Sequence, residues 1–138
     1  MLESFHGPFF FGLDEMHLFG CNIGPHLWDM MTDPILKTPY LLKKSEQVAV
    51  STAINKSLPN WPRTFDGKIK DVLNRTKDVR AIDYIDTLIY VIPTVAIEQL
   101  ELTNCPEAAI SSLVHLIKAC DLSLSWEQDQ QSIDTIQQ

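Results

Sequence analysis

The sequence predicts an all-α fold, an irregular bundle of about five helices with a loop-rich, basic middle segment. Three observations predict it. Apolar residues recur at helical spacing over long stretches, most plainly Ile82, Ile85, Leu88, Ile89, Ile92, Ala96 and Leu100. No segment sustains the apolar–polar alternation of a half-buried strand. Residues that start and stop helices stand at the ends of the periodic stretches.

Residues 1–13 contain Gly7-Pro8 and the run Phe9-Phe10-Phe11, and read as an irregular apolar lead-in that needs something to pack against. Asp14 is placed to cap the first helix by accepting the backbone N–H of residue 16 or 17, and Glu15 suits the positive end of its dipole. That helix is expected to reach about Met31, with a kink or break near Gly24-Pro25, because a proline ring removes one hydrogen bond and crowds the preceding turn. Gly20 and Gly24, one turn apart, would let another backbone approach closely.

Thr32-Asp33-Pro34 and Thr38-Pro39 are turn chemistry. Ser45 is expected to cap a second helix, from about Glu46 to Leu58, which Pro59-Asn-Trp-Pro62 stops. A loop with a short helix follows around Asp66–Arg75, where Ile69, Val72 and Leu73 form a small apolar stripe. Asp78 is placed to cap the longest helix, Val79–Leu100, kinked at Pro93. Thr103-Asn-Cys-Pro106 starts a fourth helix reaching about Ala119, with Pro106 acceptable in its first turn. A last helix, from about Asp129, carries Ile133 and Ile136. It is barely begun where the chain stops, and the start is as abrupt, so both ends read as cuts through a larger protein.

At 138 residues, with 45% apolar and 21% charged side chains, the chain suits a single helical region with a real core rather than disorder. The longest apolar run, Leu88–Ile97, is too short to span a bilayer and is flanked by Asp83, Asp86, Glu98 and Glu101, so no membrane is expected. Three cysteines, Cys21, Cys105 and Cys120, show no CxxC pairing. With no signal peptide at the start, they fit reduced thiols in the cytosol or nucleus.

The net charge of −7 disfavours nucleic acid taken whole, but the charge is unevenly spread. From Lys37 to Arg80 lie ten of the eleven basic residues and four acids, a net +6, while the remainder carries −13. One reading is a side that faces a polyanion; the other is a solvated loop-rich segment whose lysines keep it in solution.

Asp14, His17 and Cys21 stand at i, i+3 and i+7 and would share a face of an α-helix. This block carries three readings. Asp14 can simply cap the helix. His17 and Cys21 on adjacent turns resemble paired ligands of zinc helices, with Asp14, His26 or His6 to complete the shell. A carboxylate beside an imidazole can also do acid–base chemistry, although no serine nucleophile motif or second inward-facing carboxylate accompanies it. His115 reads as a core or edge histidine, and Trp28, Trp61 and Trp126 as packing residues. Phosphate loops, dinucleotide fingerprints and internal repeats are absent from the sequence.

The stretch Leu13-Asp-Glu-Met-His-Leu-Phe-Gly-Cys-Asn-Ile-Gly-Pro-His-Leu-Trp28 resembles a signature of DDE-type transposases of the CACTA-like and related superfamilies, in which a D-x-M-H block opens a helix with a glycine following. Pro59-Asn-Trp-Pro-Arg-Thr-Phe-Asp-Gly-Lys-Ile69 and Arg80-Ala-Ile-Asp-Tyr-Ile-Asp-Thr-Leu-Ile-Tyr-Val-Ile-Pro93 are similar to the next blocks of that family, in order, and Leu113–Ile136 to the helices after them.

In such transposases three acids of an RNase H-like domain hold two divalent ions, Mg or Mn, for strand cleavage and transfer. The resemblance places Asp14 and His17 in the signature block, inside an insertion between the second and third acids, and not in the metal-binding triad. It therefore implies that the triad lies outside this chain, that this polypeptide has no nuclease activity and needs no cofactor of its own, and that it acts in the nucleus. It also implies contact with the remainder of a transposase and with DNA, for which Arg63, Lys68, Lys70, Arg75 and Lys77 are the candidate phosphate contacts. Two alternatives stay open: an independently folded DNA-binding or protein-interaction module, and a small zinc-dependent protein using His17 and Cys21. The oligomeric state is not legible in the sequence.

Overall fold

A computed structural model describes residues 14–60 and 79–125, together with Gln131, Asp134 and Thr135. The described residues form helices and no strands, so the fold is all-α. Helix α1 runs through a π-helical stretch, Met16–Ile23, directly into the α-helical Gly24–Thr32. Helix α2 is Lys44–Ser57. Helix α3 joins Ala81–Asp86, a π-helical Thr87–Ala96 and Ile97–Leu102, and helix α4 is Glu107–Ser123. Short 3-10 turns at Pro34–Leu36 and Leu58–Asn60 follow α1 and α2. Gln131, Asp134 and Thr135 are helical, and Thr135 Oγ1 donates to Gln131 O one turn back at 2.8 Å. The expected Ile133 and Ile136 of that last helix lie outside the described residues, as do residues 1–13, the short helix at Asp66–Arg75, Trp61 and Trp126.

The two helix-interior prolines do not break their helices. Each is met by a π-helical stretch, whose wider turn is bonded five residues back instead of four. Gly24 N–H reaches Phe19 O just ahead of Pro25, and Ile97 N–H reaches Ile92 O across Pro93. Of the kink or break expected near Gly24-Pro25, the break does not occur: the chain changes helical register there, which gives the proline ring room.

Helix starts differ from the sequence expectation in a consistent way. Helix α2 begins at Lys44, not at Glu46, and Ser45 is not its cap. Instead the Glu46 carboxylate accepts the backbone N–H of Lys43, satisfying a donor at the helix entry. Helix α3 begins at Ala81, because Arg80 is extended (φ −99°, ψ 163°), and Asp83 accepts the Arg80 N–H at 2.7 Å. The acid three residues inside the helix does the work expected of Asp78, which lies outside the described residues. Pro106 is also extended in ψ (131°) and precedes α4 instead of entering its first turn.

Between α3 and α4 the chain makes a Schellman stop. Asn104 takes the left-handed conformation (φ 57°), its N–H reaches Glu101 O at 3.2 Å, and Cys105 N–H reaches Leu100 O at 3.0 Å. Helix α4 then runs to Ser123, beyond the expected Ala119.

Helix α3 is the centre of the bundle, and each of the other helices packs on it. Its fully buried Leu88, Ile92, Ala96 and Leu100 meet Trp28 and Met31 from α1, Val50 and Ile54 from α2, and Leu113 and Ile117 from α4 in one core cluster. Leu42, from the α1–α2 connection, joins that core, and its N–H bonds Met31 O at 2.8 Å. Gln47 anchors the same corner by donating to Leu42 O and Thr32 O. The apolar run Leu88–Ile97 is therefore mostly core, and no described helix is long and apolar enough to cross a membrane.

Candidate functional site

The D-x-M-H block starts α1, and local hydrogen bonding explains its form. Asp14 Oδ1 accepts the Met16 N–H at 2.9 Å, and Asp14 O accepts the Leu18 N–H at 2.8 Å. Asp14 Oδ2 lies 2.7 Å from His17 Nδ1. Asp14 therefore caps the helix and orients the imidazole together. The His17 hydrogen bond, helped by the Met16 N–H, holds the Asp14 carboxyl below the usual carboxylate range. Both side chains are largely exposed, at 55% for Asp14 and 78% for His17. A pair so open to solvent excludes no water from a reacting group, so a buried acid–base centre is not formed here.

Cys21 is exposed on the π-helical part of α1. The i, i+3, i+7 reading assumed α-helical turns, and the wider π turn between Met16 and Ile23 changes that angular spacing. Among the described residues no group of three or more His, Cys, Asp or Glu side chains is placed to hold a metal. His26 is exposed further along α1, and His6 lies outside the described residues.

What the block does build is a helix crossing. Gly20 and Gly24, both buried, face the start of α3. A Cβ added at Gly20 would stand 2.6 Å from Ala81 O and 2.8 Å from the Ala81 Cβ. One at Gly24 would stand 3.0 Å from the Tyr84 Cβ. At both places the helices touch backbone to backbone, which only glycine permits. The partner surface is held by Asp83. It is 1% exposed, caps α3, and pairs with the Arg80 guanidinium at 3.1 Å. Sequence reasoning found the glycines and missed Asp83, reading it as a flanking acid. Its position three residues into a helix, behind an extended residue, was the signal.

The nominated phosphate contacts Arg63, Lys68, Lys70, Arg75 and Lys77 lie outside the described residues. Of the same basic segment, Lys37, Lys43, Lys44, Lys56 and Arg80 are described, and all are exposed. His115, expected as a core or edge residue, is exposed on α4.

The cysteines divide by environment. Cys105 Sγ donates to Pro39 O at 3.2 Å, Cys120 belongs to the core, and burial pushes both thiols up. Native protein treated with an aromatic disulfide reagent is expected to label Cys21 first, at least about tenfold faster than the other two. Equal rates in folded protein would contradict the packing of α4. No family model, curated protein or solved structure matches the chain.

Proposed function

We propose that this chain is a transposase-derived helical module, the insertion-type region of a DDE-type enzyme, without catalysis of its own. Its role in this reading is to pack against the remainder of such an enzyme and to contact DNA through the backbone phosphates, in the nucleus. In this reading the divalent metal of the parent family belongs to acids outside this chain.

One observation carries the reading. Two of the four stretches that bear the resemblance meet: Asp14–Trp28 of the first and Arg80–Pro93 are far apart in sequence yet are direct packing partners, glycine against backbone. A motif pair that meets in space is what a shared ancestral module would preserve as a unit. The net +6 of residues 37–80 supports the DNA contact, since such a field attracts phosphate without reading bases.

Titration of the purified chain against labelled duplex tests this. Binding is expected at about 50 mM salt and to weaken steeply by about 200 mM, with a log–log slope near 0.9 per phosphate contacted. Replacing Arg63, Lys68, Lys70, Arg75 and Lys77 together by Gln is expected to remove most of that slope. Binding that ignores salt, or no binding at low salt, would sink the phosphate-contact reading.

A further inference from the structure

A groove of about 460 Å³ opens where the start of α1, the first half of α3 and the C-terminal end of α4 meet. Met16, Ile82 and Ile89 contribute to its apolar lining, and Met16 and Ile82 are 41% and 37% exposed. Its charged lining residues among those described are Glu15, Asp86 and Asp121, and no described lysine, arginine or histidine lines it. Helix α4 ends here with no basic residue in its last turn to offset the partial negative charge of its C-terminus. The nearest cation on α3, Arg80, is already engaged by Asp83.

We propose that this groove docks an amphipathic helix of a partner protein, its apolar face on Met16, Ile82 and Ile89 and a lysine or arginine set against Asp86 and Asp121. Charge complementarity selects this occupant. Three carboxylates and a helix C-terminus repel phosphate, which disfavours nucleic acid in this groove. Apolar walls rimmed by one sign of charge suit a helix that presents anchors at i, i+3 and i+4 with a basic flank. Asp86 gains most from such a partner. Burial, then the neighbouring Asp83, raises its carboxyl, with Arg80 only partly opposing, so a basic side chain in the groove would relieve an uncompensated charge. This docking is independent of the DNA reading, because the two use different residues.

The test is fluorescence anisotropy of the full chain with a labelled peptide of about eighteen residues, built from Leu, Ala and Lys with Leu at helical anchor spacing. Saturable binding is expected, at least about tenfold weaker for the Asp86→Asn, Asp121→Asn variant and for Ile82→Ser, and absent for a peptide with Glu in place of Lys. The charge-matched control Glu98→Gln, Glu101→Gln, on exposed acids outside the groove, is expected to change binding less than about twofold. A cooperative thermal melt of each variant establishes that it is folded. Equal weakening by the control pair would show attraction to net charge alone and overturn the proposal, as would absence of saturable binding. A photo-crosslinking residue at position 82 reports the occupant in the free chain. Crosslinks to residues 1–13 or 126–138, or to a second copy, would assign the groove to those instead and equally overturn it.

Discussion

Trp28→Ala is expected to cost about 3–5 kcal/mol, the range for removing a fully buried aromatic side chain. Trp28 is 1% exposed and sits in the α-helical half of α1, in the cluster that joins α1 to α3. The loss has two parts, the transfer energy of the indole and the void left between helices that cannot collapse onto it. A small domain holds about 5–15 kcal/mol in all, so this one change takes a large share of the total. Urea titration should show a lower midpoint with an unchanged slope. His26→Ala, two residues away and exposed, is the matched control, expected within about 0.5 kcal/mol of the parent. Equal midpoints for the two variants would contradict the core.

Gly20→Ala is the second large effect, and its sign is the informative part. In an open helix the change would gain up to about 1 kcal/mol, because alanine is the better helix former. Here the added methyl meets Ala81 O at 2.6 Å and the Ala81 Cβ at 2.8 Å. A backbone oxygen cannot rotate away, so the two helices must separate. Overpacking of this kind costs about 1–3 kcal/mol and outweighs the propensity gain. A net loss of about 1–2 kcal/mol is expected, lowering Tm by on the order of 5 °C. Gly24→Ala should lose stability as well, since its added methyl would meet Phe19 O at 2.8 Å and the Tyr84 Cβ at 3.0 Å, and neither atom can move without its backbone. Stabilisation by Gly20→Ala would mean that the helices do not cross there.

Much of this was legible because it is local or periodic. Asp14 could be read as a cap from its place before the first helical turn, and it does accept the Met16 N–H. The paired glycines could be read as a close approach, although nothing in their spacing said that Ala81 and Tyr84 would be what they approach. The helical repeat of α3 located the core side chains Leu88, Ile92, Ala96 and Leu100.

The misreadings share physical causes. Proline interrupts hydrogen bonding within fixed α-helical turns, whereas this chain widens its turn ahead of Pro25 and around Pro93. That widening also redistributes the faces of α3. Ile82, expected inside, is 37% exposed, while Asp83 and Thr87 are 1% exposed. Both buried polar groups are bonded, Thr87 Oγ1 to Asp83 O at 2.7 Å and Asp83 to Arg80. A hydropathy pattern counts such residues as polar and places them outside. Ser45 and Asp78 suit a cap by residue type; Asp78 lies outside the described residues, and Glu46 and Asp83 accept the entry N–H groups from inside the first turn, a choice that depends on where the chain turns extended.

The groove was invisible for a different reason. Glu15, Asp86 and Asp121 come from three helices, and only their packing brings the acids together around apolar side chains.

The contact between the helices that carry Asp14–Trp28 and Arg80–Pro93 is open to one direct measurement. In an isotope-labelled sample of the full chain, proton–proton Overhauser contacts are expected from Gly20 Hα to the Ala81 methyl and from Gly24 Hα to the Tyr84 Hβ protons. With those resonances assigned, their absence would contradict the crossing of α1 and α3, and with it the observation on which the proposed ancestry rests.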